Sequence, residues 1–155
     1  MRSELATPEA TREFGRRLAA VLRPGDLVVL DGPLGAGKTV LAQGIGTGLG
    51  VRGEVTSPTF VIARVHPPDP ARGGRVPLVH VDAYRLGGVA DVDDLDLDAS
   101  LDDSVTVVEW GQGLVEQLAD SHLRVRIERR DDDTRVVELC PRGTDWDGRL
   151  DSVGC

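Results

Sequence analysis

The chain has 155 residues, enough for one domain with its own core and no need of disulfide or metal staples. Its net charge of −8 and pI of about 4.8 argue against tight direct binding to nucleic acid, because an acidic surface gains little from counterion release. No apolar window reaches the ~18 residues of a membrane span, and Met1-Arg2-Ser3-Glu4-Leu5 lacks the apolar core of a signal peptide, so a cytoplasmic protein with no membrane attachment is expected.

Thr7-Pro8-Glu9 predicts a helix start: a hydroxyl cap, a proline in the first turn, then an acid near the positive end of the dipole. Phe14, Leu18, Val21 and Leu22 follow at helical spacing, and Pro24-Gly25 closes the element. Leu27-Val28-Val29-Leu30 is a short apolar run of the kind found in strands covered on both faces. It leads into Gly32-Pro33-Leu34-Gly35-Ala36-Gly37-Lys38-Thr39, after which Val40, Leu41, Ile45 and Leu49 predict a second helix. Strand, glycine-rich turn and helix in this order form the phosphate-binding loop G-x-x-x-x-G-K-T.

Lys38 is the one lysine among eighteen basic residues, the others all being arginine. An ammonium is a compact point charge that fits inside a tight backbone loop, whereas a guanidinium is a broad planar fork. The backbone of Gly35, Ala36, Gly37, Lys38, Thr39 and Val40 would wrap a β-phosphate, aided by the helix dipole. Lys38 would bridge the β- and γ-phosphates, and the Thr39 hydroxyl would bind Mg²⁺.

Beyond Gly50, Val55–Ile62 is a polar knot opening into a strand. His66–Pro77, with four prolines and two adjacent glycines, predicts an exposed loop. Pro77–Asp82 and Ser104–Trp110 are buried strands, each carrying a carboxylate, Asp82 or Glu109, toward the edge of the sheet where ligands bind. Both acids are candidates for the magnesium site, and sequence order does not rank them. Between them, Asp91–Asp103 holds seven aspartates but neither the glycine nor the glutamate of a calcium loop, so a solvated acidic segment is expected. Leu123–Glu128 and Arg135–Leu139 alternate as a hairpin with one wet face. The last dozen residues are polar and expected to fray. Cys140 and Cys155 lack metal-ligand spacing; the first is expected to behave as a small buried hydrophobe, the second as a tail thiol. The whole reads as one α/β domain, a P-loop NTPase-like, mostly parallel sheet flanked by helices, with antiparallel C-terminal strands.

Four motifs in order, Gly32–Thr39, Ser57-Pro58-Thr59-Phe60, His80-Val81-Asp82-Ala83-Tyr84-Arg85-Leu86 and Glu109-Trp110, resemble the TsaE (YjeE) family over roughly residues 5 to 128. These are small bacterial ATPases of threonylcarbamoyladenosine formation in tRNA. The resemblance implies ATP and Mg²⁺ as cofactors and partnership with a TsaD–TsaB-type complex. It further implies Thr39 and Glu109 as Mg²⁺ ligands, and Asp82 near the attacking water or just outside the metal's direct ligands. Lys38, Asp82 and Glu109 would form the catalytic set. Ser57 and Thr59 would sense the γ-phosphate, and Thr7 would lie near the nucleotide base. Val40 stands where the family often has a second hydroxyl, yet its backbone N–H is retained.

His80 reads as a packed, hydrogen-bonded histidine, Trp110 as packing behind the metal site, and Tyr84 and Arg85 as either a surface pair or a phosphate or partner contact. Weak, partner-stimulated hydrolysis is the leading expectation, since no basic finger is evident. A small-molecule or nucleoside kinase and a nucleotide-gated binding module without hydrolysis are the alternatives. A guanine-reading N/T-K-x-D motif is impossible with Lys38 as the one lysine.

Overall fold

The computed structural model describes residues 2–32, 37–51, 63–82, 103–109, 122–143, 146 and 148–150. Gly35, Ala36, Ser57, Thr59, Tyr84, Arg85, Trp110 and Cys155, and the acidic stretch up to residue 102, lie outside the described residues.

In chain order the elements are β1 (Arg2–Leu5), α1 (Pro8–Ala19), β2 (Leu27–Asp31), α2 (Lys38–Leu49), β3 (Ala63–His66), a 3₁₀ turn (Pro70–Arg72), β4 (Leu78–Asp82), β5 (Val105–Glu109), β6 (His122–Arg129) and β7 (Arg135–Arg142). They build a seven-stranded sheet in the order β1-β7-β6-β2-β5-β4-β3. The centre, β6-β2-β5-β4, is parallel. Antiparallel strands close both sides: β7 and then β1 beyond β6, and β3 beyond β4.

Local chemistry explains most of these elements. The Thr7 hydroxyl accepts from Ala10 N at 3.1 Å, capping α1 as expected. All of Leu27–Leu30 is fully buried, as an apolar run between covered faces requires. The hairpin β6–β7 alternates buried and open positions, with the Asp133 backbone in the left-handed region (φ 68°) at the turn.

Pairing partners in neighbouring strands share a face. Val28, Leu30, Val105, Val107, Leu123, Val125, Ile127, Val137 and Leu139 therefore form one continuous apolar surface, packed with Phe14 and Leu18 of α1 and Leu41 and Ile45 of α2. The two helices cross closely through glycines: a Cβ on Gly44 would lie 2.1 Å from the Arg12 carbonyl oxygen, and one on Gly15 would lie 2.5 Å from that of Leu41.

Two expectations need correction. His66 does not open the loop; it is the buried last residue of β3, opposite Leu78, and the turn beyond it is pinned by Asp69 N donating to Gly50 O at 2.8 Å. The frayed C-terminus is likewise corrected within residues 146–150. Trp146 and Leu150 are buried in the core, and Arg149 pairs with Asp26 at 2.5 Å. These few apolar and paired side chains outweigh the polar average of the segment.

Candidate functional site

The site begins where β2 ends. Gly37 has φ 106°, a left-handed conformation that favours glycine, and it forms the N-cap of α2 without any side-chain cap. The backbone N–H groups of the first turn therefore face the loop unclaimed by a cap, an arrangement suited to anions. Lys38, only 4% exposed, folds its ammonium back to donate to Gly32 O at 2.6 Å. That bond ties the start of the helix to Gly32, just past β2, and fixes the positive charge between them. Thr39 and Val40 follow in the first turn, each partly buried.

Across from them stand the two carboxylates. Leu30 pairs with Glu109, and Glu109 with Asp82, so the carboxyl ends of β2, β5 and β4 lie side by side. Glu109 shares the helix-covered face with its pairing partner Leu30, and Asp82 is its register partner at the end of β4. The backbone thus brings Lys38, Thr39, Asp82 and Glu109 to one edge of the sheet.

Glu109 is held from below. His80, two residues before Asp82 and fully buried, places Nε2 2.5 Å from Glu109 Oε2. An ionised carboxylate only accepts, so Nε2 carries the hydrogen and donates it. Nδ1 of this ring is buried with no partner among the described residues. One carboxylate oxygen is thereby fixed, and the other can serve a ligand. Thr39 and Glu109 offer hard oxygen donors, the kind Mg²⁺ selects.

No local pattern around His80 points to Glu109 as its partner, since only strand register sets that diagonal. On the opposite face, Arg124 of β6 donates through Nε to Asp31 Oδ2 at 3.0 Å, anchoring the last residue of β2. Thr7 sits beyond β7, at the end of β1, with its hydroxyl engaged in capping α1. Arg135, not singled out by any motif, lies against Gly37.

A sequence profile described as threonylcarbamoyl adenosine biosynthesis protein TsaE matches residues 5–137. The chain belongs to the TsaE family. It is similar to the TsaE of Streptomyces coelicolor, with 66% identity over 87% of this chain and 93% of that protein. Similarity to the TsaE of Mycobacterium tuberculosis is 53% over 83% and 80% of the two chains, and to that of Bacillus subtilis 36% over 90% and 85%. Among solved structures, the crystal structure of YdiB from Bacillus subtilis superposes with a TM-score of 0.80 at 30% identity, covering 99% of this chain and 93% of that one. The fold of this TsaE-family chain is thus the P-loop NTPase-like α/β arrangement expected from strand, loop and helix order. Among the described residues, no helix is long and apolar enough to cross a membrane.

Proposed function

We propose that this chain binds ATP with Mg²⁺ and hydrolyses it weakly, in support of a TsaD–TsaB-type complex that forms N6-threonylcarbamoyladenosine at position 37 of tRNA. The observation that carries the reading is the meeting of Lys38 at the start of α2 with Glu109 and Asp82 at the ends of β5 and β4, in a chain whose relatives carry threonylcarbamoyladenosine biosynthesis in their names.

In this reading Gly35 to Val40 cradle the phosphates through backbone N–H groups. Lys38 sits where negative charge accumulates during γ-phosphoryl transfer to water, and it stabilises that charge. Thr39 and Glu109 would hold the magnesium, which when bound neutralises phosphate charge. His80 keeps the Glu109 carboxylate in place by occupying one of its oxygens. Asp82 acts near the attacking water, Ser57 and Thr59 sense the γ-phosphate, and Thr7 lies toward the base. Turnover by the isolated chain is slow, and partner binding raises it. An acidic, cytoplasmic protein with net charge −8 fits a role exerted through protein partners, with tRNA contacts left to other subunits.

Calorimetric titration of the purified chain with ATP–Mg²⁺, together with co-sedimentation with a purified TsaD–TsaB complex, tests the reading. Saturable binding in both is expected; failure in both would end the proposal. ADP release that rises with an added small-molecule acceptor, rather than with the partner complex, would instead mark a kinase.

A further inference from the structure

The phosphate loop has a second flank, on the side of β2 away from the carboxylates. There the sheet continues as β6, β7 and β1. Leu5, Arg135 and Arg129 pair in a row across these three strands at the hairpin end. Because β6 runs parallel to β2, that end is the same sheet edge that carries Glu109 and Asp82. Arg135 also shares the helix-covered face with Val137 and Leu139.

Its side chain reaches the loop itself. A Cβ added at Gly37 would lie 3.4 Å from Arg135 Nε and 3.9 Å from its Cδ. The guanidinium therefore rests against the glycine that begins α2, in a side chain only 18% exposed.

The way the hairpin holds Arg135 matters for its charge. Arg129 takes the Asp133 carboxylate, through Nε at 2.8 Å and Nη2 at 2.5 Å. Arg130 pairs with Glu4 at 2.8 Å. Arg135 instead donates Nη1 to the neutral Asp133 carbonyl at 2.8 Å, and its own approach to that carboxylate is a loose 3.9 Å. The neighbouring arginines bond close acids directly, while Arg135 is oriented by a carbonyl and approaches the Asp133 carboxylate only loosely.

We infer that Arg135 is a nucleotide-binding residue that donates to the α-phosphate end of a bound nucleoside di- or triphosphate, beside the nucleoside. A polyphosphate whose terminal groups face Glu109 and Asp82 on one flank of α2 must carry its nucleoside toward the other flank. Among the described residues, Arg135 is the cation seated against Gly37 on that flank. A guanidinium that is already oriented loses little freedom on binding and matches phosphate oxygens well. The inference rests on the nucleotide reading proposed above and adds to it which residue receives the nucleoside side.

The test compares ATP and ADP affinities, by calorimetry on the full chain, for Arg135→Ala, Arg135→Gln, Arg130→Ala and Lys38→Ala. Melting temperatures of the unliganded proteins report folding. Arg135→Ala is expected to weaken ATP and ADP by the same factor, about tenfold, with an unchanged melting temperature. Arg130→Ala should change neither affinity. Should Arg135→Ala not fold, Arg135→Gln, which can still donate to the Asp133 carbonyl, carries the same expectation. Three results would overturn the inference: unchanged affinities, a loss confined to ATP, or an equal loss in Arg130→Ala. Lys38→Ala separates the two readings. If it binds ATP normally, the nucleotide reading itself is wrong; if it loses ATP while Arg135→Ala does not, only the role of Arg135 falls.

Discussion

At Lys38 a buried amine, a carbonyl and a helix start are packed closely together, so a change of side-chain shape is felt there. Its ammonium bonds Gly32 O at 2.6 Å with the side chain almost wholly covered. A guanidinium keeps the charge but needs more room and a planar fit. Lys38→Arg should therefore fold with an ordinary melting temperature yet hydrolyse ATP poorly, and near-normal turnover would defeat the size argument. Lys38→Ala should lose about ten- to a hundredfold in ATP affinity, as expected for removing charge-assisted bonds to phosphate.

His80 is a different case, because its partner is a carboxylate rather than a ligand. His80→Phe keeps an aromatic ring but leaves Glu109 Oε2 without its donor in a buried setting. A stability loss of about 1–3 kcal/mol is expected in urea unfolding, with a higher Mg²⁺ concentration needed for half-maximal ATP binding. Cys140 offers a pH test. Burial, chiefly, and the nearby Glu138 push its thiol above the ordinary value of 9.0. Between the unfolded and folded values the folded chain holds the proton that the unfolded chain has lost. The stabilising effect is thus full below about pH 9 and fades as pH rises. Relative to Cys140→Ala, the parent chain should lose stability above that pH in parallel urea titrations.

At the scale of elements, contact between α1 and α2 depends on what their glycines lack. Alanine is normally better than glycine in a helix by roughly 0.5–1 kcal/mol. At Gly44, however, a Cβ would sit 2.1 Å from the Arg12 backbone oxygen, and backbone cannot swing aside as a flexible side chain can. Gly44→Ala should therefore destabilise the chain by about 1–3 kcal/mol in denaturant unfolding, against its helix propensity. This contrast also marks what a sequence discloses. Thr7-Pro8-Glu9 and Leu27–Leu30 carry their structural reasons within a few residues, so α1 and β2 were legible. The strand β1 is four residues long and exists through antiparallel pairing with β7, which no local pattern announces. The site divides the same way. Lys38, Thr39, Asp82 and Glu109 sit in motifs or at the ends of apolar runs, whereas the His80–Glu109 bond and the seat of Arg135 on Gly37 arise from register between distant strands.

For the molecule as a whole, the arrangement separates what holds the sheet together from what acts at its edge. Asp26 lies just before β2, at the amino edge, and Lys38, Glu109 and Asp82 lie at the carboxyl edge. Arg149 reaches back from the C-terminal segment to Asp26, with both side chains at most 10% exposed. It also donates to Val21 O at 2.6 Å and stacks over Trp146 at 4.3 Å. Asp26 in turn accepts from Arg23 N at 2.6 Å. Removing one member of such a buried pair leaves the other charge without compensation, which is far more damaging than the net worth of the pair. Arg149→Met, close in length but uncharged, should lower stability by about 3–5 kcal/mol in urea unfolding. If the chain is one domain, as its length and sequence lead one to expect, the loss should show as an earlier midpoint of a single cooperative transition rather than as a new early step. ATP affinity measured well below that midpoint should remain at the parent value, because the altered pair lies a full strand length from the phosphate loop. A parallel fall in affinity would show that the amino edge sets the geometry of the carboxyl edge, and that stability and nucleotide binding are not separable in this fold.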